Sequence, residues 1–248
     1  MSDPVKIQFV GSGDAFGSGG RLQACIHIAA SGGNILLDCG CSSLIGLRQC
    51  NLAVDQIDTV IISHLHGDHF GGIPFLLLAG KYLSQRTRPL TIIGPKGLQA
   101  QVEAALDALY PGTLNDGVDF PLTWLELTPE QSLQHGSMEI RAWQMCHGGS
   151  DRALGLQVTV DGKRIAYTGD TEWTENMLPL AAGVDLMICE CFQYDQPIPS
   201  HLDYMTLQAN RSKLDCRQIV LTHAGDEMLQ HQDDLEFPLA YDGFSLEL

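Results

Sequence analysis

Residues 63–69 read Ser-His-Leu-His-Gly-Asp-His, placing His64, His66, Asp68 and His69 within six positions. Three imidazoles and a carboxylate this close together suit a borderline divalent ion, with zinc the first expectation and manganese the alternative. Three more ligand-type side chains stand in comparable places. His147 follows the run Ile140-Arg-Ala-Trp-Gln-Met145, Asp170 ends Arg164-Ile-Ala-Tyr-Thr-Gly-Asp170, and His223 ends Gln218-Ile-Val-Leu-Thr-His223. Each sits where an apolar strand-like run meets a turn, which is how an α/β protein presents ligands at the carboxyl edge of a sheet. Together with the first cluster they predict a two-metal site.

Other residues extend the pattern. Glu190 closes a strand-like run, and His201 precedes a helix-like stretch whose N-terminus could hold an anion. Asp38, in Leu36-Leu-Asp-Cys-Gly40, either orients a ligand or stabilises its own turn. His27 alternates with apolar neighbours and is expected on the outward face of a strand. His135 and His231 lie in polar stretches and are expected in solvent. Phe70, Ile73 and Trp173 divide between packing and the pocket mouth. None of the eight cysteines forms a Cys-x-x-Cys pair, so reduced core thiols are expected, with Cys146 no ligand despite adjoining His147.

The elements that must position these groups read as follows. Strand-like runs fall at 5–10, 24–29, 34–38, 59–63, 90–93, 122–127, 138–145, 154–160, 164–168, 184–190, 217–222 and 243–248. Helix-like stretches fall near 42–50, 70–86, 96–110, 174–182 and 203–214. Asp161-Gly162 between two strand-like runs is a two-residue hairpin signal. Hairpins mixed with βα units predict two packed sheets with helices outside. No linker or repeat is evident, and 1–248 is expected to be a single domain.

The formal net charge is −16, and the seven acids after His223 meet no lysine or arginine there. Nucleic-acid binding draws on cations that neutralise phosphates, so a long polyanionic partner is not expected. No window holds the roughly 18 apolar residues of a membrane span. The first ten residues lack a basic and apolar leader pattern. A cytoplasmic protein is expected.

With His64-x-His66-x-Asp68-His69, His147, Asp170 and His223 all in order, the chain resembles the metallo-β-lactamase-fold superfamily of hydrolases. That resemblance implies a four-layer αββα sandwich, two mixed sheets with helices on the outer faces. It implies that His64, His66 and His147 hold one metal, that Asp68, His69 and His223 hold the second, and that Asp170 bridges them. It also implies a homodimer. Val10-Gly-Ser-Gly-Asp-Ala15 with Glu190 and His201 resembles the ribonuclease Z group, where such a Glu and His form a proton-handling pair beside the metals. The stretch from His201 through His223 to Tyr241-Asp-Gly243 resembles the cyclic phosphodiesterase of phosphonate degradation. Asp68, Glu190 and His201 are thus the candidate catalytic side chains.

Two departures narrow the activity. The interval from His147 to Asp170 is consumed by the Asp161-Gly162 hairpin, leaving no room for the long basic arm with which ribonuclease Z grips tRNA. The Cys-rich zinc cluster of the phosphonate-pathway enzyme has no counterpart either. The expectation is a phosphodiesterase for a small phosphodiester, acting through hydroxide held by two metals. Hydrolysis of a lactone, ester or thioester is the alternative. A tRNA 3′-processing endoribonuclease and a non-catalytic binding protein rank below these.

Overall fold

The computed structural model describes residues 4–149 and 152–248. The leaderless reading falls partly on residues 1–3, outside that range. Strands run in the order β1 (Lys6–Gly11), β2 (Cys25–Ala30), β3 (Gly33–Leu37), β4 (Ile57–Ile61), β5 (Leu90–Pro95), β6 (Leu122–Leu127) and β7 (Ser132–His135). They continue as β8 (Met138–Gln144), β9 (Leu154–Val160), β10 (Lys163–Tyr167), β11 (Val184–Glu190), β12 (Cys216–Thr222) and β13 (Ser245–Glu247). The helices are α1 (Ser43–Gln49), α2 (Gly67–Phe70), α3 (Ile73–Leu78), α4 (Leu98–Leu109), α5 (Met177–Ala181), α6 (Tyr204–Asn210) and α7 (Asp226–Gln230).

One sheet has seven strands in the order β13-β1-β2-β3-β4-β5-β6, the other six in the order β12-β11-β10-β9-β8-β7. Both are mixed. β3 to β6 are parallel, as are β10 to β12, while the remaining pairings are antiparallel. Alternation along each strand sorts residues between layers. Ile35 and Leu37 face the opposite sheet, with Ile61, Ile93, Ile165 and Ile188. Leu36, Val60 and Ile92 face the other way, onto Leu47, Ile73, Leu76 and Leu98 of the helices. Met187, Cys189 and Leu221 do the same on the second sheet, against Met177, Leu180, Leu207 and Met228. Helix, sheet, sheet, helix is the four-layer order the sequence predicts.

The parallel strands end together at one edge, and it is there that the chain turns into its ligand-type residues. Asp161 (φ 50°) and Gly162 (φ 77°) both occupy the left-handed region, the geometry of the predicted hairpin turn. Asp161 also accepts from the Ser31 amide and hydroxyl at 2.7 and 2.6 Å, tying this hairpin to the β2–β3 turn.

Several expectations are corrected. The helix expected over 70–86 breaks into α2, α3 and a π-turn at Ala79–Leu83. Gly71 and Gly72 cause the break: a Cβ on Gly72 would stand 2.2 Å from the Gly40 carbonyl oxygen. β7 and α7 are additional, β7 as a short edge strand fixed by its hairpin to β8. Phe70 and Ile73 are core residues under the helices, and Trp173 packs on the second helical layer. All eight cysteines are free, but Cys41 and Cys146 are exposed and so are not core thiols.

His27 is not outward-facing. It is 4% exposed, and its Nε2 meets Asn34 Oδ1 at 2.9 Å. Burial holds its pKa below the ordinary value, although the Asn34 contact opposes this. The folded state therefore keeps His27 neutral while the unfolded chain protonates below about pH 6.5. Its contribution is present above that pH and is lost as pH falls through it, by at most about 1.4 kcal/mol per unit. Urea midpoints at pH 7.5 and 5.5 should lie closer together in His27→Gln than in the parent protein.

Candidate metal centre

Asp38 organises the site from beneath. It follows β3, is fully buried, and adopts the left-handed backbone at φ 59°. Its Oδ1 accepts from the Ser63 amide at 2.7 Å. Its Oδ2 accepts from the Ser63 hydroxyl at 2.7 Å, from Tyr167 Oη at 2.8 Å and from His69 Nδ1 at 2.7 Å. A carboxylate only accepts, so His69 carries its proton on Nδ1 and turns the Nε2 lone pair into the cleft. His147 is set in the same way, with Nδ1 donating to the Ser200 carbonyl at 2.7 Å.

The loop after β4 then turns into α2, where the His69 amide donates to the His66 carbonyl at 3.0 Å. Gly40 is required beside it, because a Cβ there would lie 2.2 Å from the Asp68 carbonyl oxygen. Seven side chains converge as two groups. Ligand-type atoms of His64, His66 and His147 lie within 4.8 Å of one another, as do those of Asp68, His69, Asp170 and His223. His66 Nδ1 and His147 Nε2 face each other at 2.9 Å. Asp68 Oδ2 lies 3.2 Å from His69 Nε2 and 3.3 Å from His223 Nε2. Asp170 stands between the groups, with Oδ1 3.3 Å from His69 Nε2 and Oδ2 3.8 Å from both His64 Nε2 and His147 Nε2.

This arrangement fits divalent metal. His64 Nε2, His69 Nε2 and Asp170 Oδ1 are buried and have no hydrogen-bond partner. Each such group forfeits about 1–3 kcal/mol unless something else satisfies it. A cation would satisfy all three. The electrostatics agree. Burial opposes the Asp170 anion, yet His223 and His69 hold its pKa well below the carboxylate range. Burial likewise opposes the His223 cation, but Asp170 and Asp68 push its pKa up to about 9. The buried carboxylates thus recruit positive charge, which protons or metal can supply.

Glu190 and His201 meet at the rim. His201 Nδ1 lies 3.1 Å from Glu190 Oε1, and Oε1 also accepts from the Thr171 amide at 2.5 Å. The Leu202 amide reaches Glu190 Oε2 at 3.3 Å. Burial pushes the Glu190 carboxyl up, but these three donors favour its anion and keep the proton on His201. The His201 pKa is raised: burial lowers it, and Glu190 more than compensates. Phe192 stacks on His201 with ring centroids 4.9 Å apart. The helix behind is closed to anions, because Asp203 caps it by accepting from the Thr206 amide at 2.8 Å. The anion site expected there is absent.

Sequence reasoning missed Tyr167, Ser200 and Asp242. Asp242 accepts from the Ser12 amide and hydroxyl and from the Leu22 amide, at 2.9, 2.9 and 2.8 Å. Ser12 in turn accepts from the His223 amide at 3.0 Å. His135 and His231 are not in either group; His231 stacks on Tyr194 at 4.0 Å. Cys146 is exposed and also stands apart.

The model of the family described as anti-Pycsar protein Apyc1 matches residues 5–239. The chain belongs to the Apyc1 family. A ribonuclease Z of Agathobacter rectalis is 34% identical over 216 residues, covering 68% of this chain and 69% of that protein. Other ribonuclease Z relatives are longer: the chain spans 40% of the Lachnoclostridium phytofermentans protein and 35% of a Staphylococcus epidermidis one. The human short-form tRNase Z superposes with a TM-score of 0.80 at 24% identity, covering 97% of this chain and 98% of that one. The metallo-β-lactamase fold protein YhfI of Bacillus subtilis gives 0.76 at 21%, covering 99% and 100%. The Apyc1-family chain therefore shares the metallo-β-lactamase fold and has ribonuclease Z proteins among its relatives. No helix among the described residues is long and apolar enough to cross a membrane.

The Asp38 network makes a quantitative prediction. Asp38→Asn should leave the fold intact but weaken zinc binding by about 10–100-fold, the usual effect of removing a group that orients a ligand. Competition against a chromophoric chelator measures this; unchanged affinity would show that His69 does not depend on Asp38 for its orientation.

Proposed function

We propose that this chain, acting as one hydrolase domain over residues 1–248, is a phosphodiesterase for a small phosphodiester. The observation that carries the reading is a single cleft holding both the two ligand groups about Asp170 and the Glu190–His201 pair. His64, His66 and His147 would hold one divalent ion, Asp68, His69 and His223 a second, and Asp170 would contact both. Zinc suits this donor set, with manganese the alternative. Such ions supply an acidic bound water and neutralise developing charge on phosphoryl oxygens.

The chain's own groups do the rest. His201 directs Nδ1 at Glu190, which leaves Nε2 to protonate the departing alkoxide. Asp68, at the rim of the same cleft, sets its Oδ2 3.2 Å from His69 Nε2 and 3.3 Å from His223 Nε2, where the three would hold one ion together. The cleft has a volume of about 250 Å³, and no lysine or arginine lines it among the described residues. Both facts favour a small substrate over a long nucleic acid. We further propose a soluble, cytoplasmic homodimer.

Phe16 adds a recognition element. It overhangs the cleft and is 85% exposed, an unfavourable setting for a large apolar ring. The loop is nevertheless tied down. Buried Asp14 accepts from the Phe16 amide at 3.2 Å and from the Ser18 amide and hydroxyl at 2.9 and 2.6 Å. A fixed, exposed ring offers a surface to a flat group on the substrate.

Two measurements test this reading. His201→Ala should retain its metal and lose about 10²–10⁴ in rate on diesters with poor leaving groups, with a smaller loss on bis-p-nitrophenyl phosphate. Equal losses would remove the acid role, and turnover of a lactone panel without any diester turnover would favour carbonyl chemistry. Phe16→Ala should raise KM for bis-p-nitrophenyl phosphate about 3–10-fold with kcat unchanged; an unmoved KM would mean the ring meets only solvent.

A further inference from the structure

The opposite end of the sandwich carries a cavity of about 310 Å³ that the metal chemistry does not use. It opens between the sheets where β4 and β5 begin, and the β7–β8 turn closes its other side. β4 runs from this cavity toward the metal loop. Thr59 and His64 are five residues apart, so roughly 16 Å separates the two ends.

Three features make this cavity a built site. Ile61 and Ile93 face the opposite sheet, but two positions earlier each strand carries a threonine instead. Thr59 and Thr91 are paired in register, are 4% and 7% exposed, and line the cavity. Neither hydroxyl has a hydrogen-bond partner among the described residues. The hydroxyls are not sealed in the core; they face the cavity, where a polar atom of a ligand can meet them.

One guanidinium stands at the mouth. Arg88 pairs with Asp58 through Nη2, and the second Asp58 oxygen accepts from the Asn34 amide at 2.9 Å. Both carboxylate oxygens are thereby engaged, while Arg88 Nε and Nη1 keep donors to offer. The loop bearing Arg88 is fixed by Arg86, a buried guanidinium that donates to the carbonyls of Val54, Ile57, Arg88 and Pro89. Glycines keep the mouth open. A Cβ on Gly32 would stand 2.6 Å from Ser137 Oγ, and one on Gly33 would stand 2.6 Å from Asp58 Oδ2.

We propose that this cavity binds a small organic carboxylate. Its carboxylate is held by Arg88, its apolar body lies against Ile35, Met138 and Val160, and a polar atom at its far end meets Thr59 and Thr91. A carboxylate fits better than a phosphate. One guanidinium already shared with Asp58 does not balance a dianion, and the walls between the polar ends are apolar.

Carboxylates also bind metals, so the test reads methyl groups inside the cavity and not inhibition. Metal-loaded protein labelled at methionine and isoleucine methyls is titrated with 4-hydroxybenzoate. Saturable shifts of Met138 and Ile35 are expected, with affinity weakened about tenfold or more in Arg88→Gln and about threefold or more in the near-isosteric Thr59→Val. His201→Ala, at the other end of the molecule, should titrate as the parent does. Shifts that stay linear to about 20 mM, an Arg88→Gln that binds normally, or inorganic phosphate that moves the same methyls equally would each overturn the proposal.

Discussion

The candidate metal centre depends on one desolvated carboxylate. Asp38 is shielded from water yet receives donors from three parts of the chain: the Ser63 amide and hydroxyl, the His69 ring and the Tyr167 hydroxyl. An unpaired buried charge would not be tolerated, so these contacts stand or fall together. Through Ser63 the carboxylate fixes the loop that bears His64 and His66. Through His69 it fixes a ring orientation, and through Tyr167 it fastens one sheet to the other just before Asp170. The distance between the two halves of the site is therefore set by side-chain contacts as well as by sheet packing.

Strain gathers at the same place. Asp38, Ser200 and His223 all adopt the left-handed backbone, with φ of 59°, 76° and 59°. Non-glycine residues held there forfeit on the order of 1 kcal/mol or more each. All three lie at points where the chain must reverse to aim a functional atom. Ser200 turns its carbonyl to His147, and His223 turns back from β12 toward Asp68. The layers of aliphatic packing on either side of each sheet are what hold the arrangement together.

Much of this was legible in the sequence, for a physical reason. Ligand-type residues behind strongly apolar runs have few other places to be, so His147, Asp170 and His223 could be placed before any coordinates. The fold followed from the same runs, because strands buried on both faces need helices outside. Asp38 was ambiguous, since a turn-stabilising carboxylate looks identical until Tyr167, 129 positions away, donates to it. His27 was misread because alternation describes faces, and here both faces are covered. The helix over 70–86 hid its break, which arises from backbone contacts between Gly72 and Gly40. Paired threonines at the far cavity were invisible because register between β4 and β5 is not written locally.

The order in which the candidate ligands occur along the chain has a bearing on synthesis. His64 through His69 leave the ribosome early, His147 and Asp170 follow much later, and His223 comes near the end. Its position is then secured by Ser12 near the start of the chain, through Asp242. A growing polypeptide can offer only a partial donor set, and partial sets of imidazole and carboxylate follow the general affinity order of divalent metals more than geometry. A full donor set for an ion would thus exist only once Ser12 and Asp242 have met. On that reading, the ion bound would reflect the surroundings in which folding finishes.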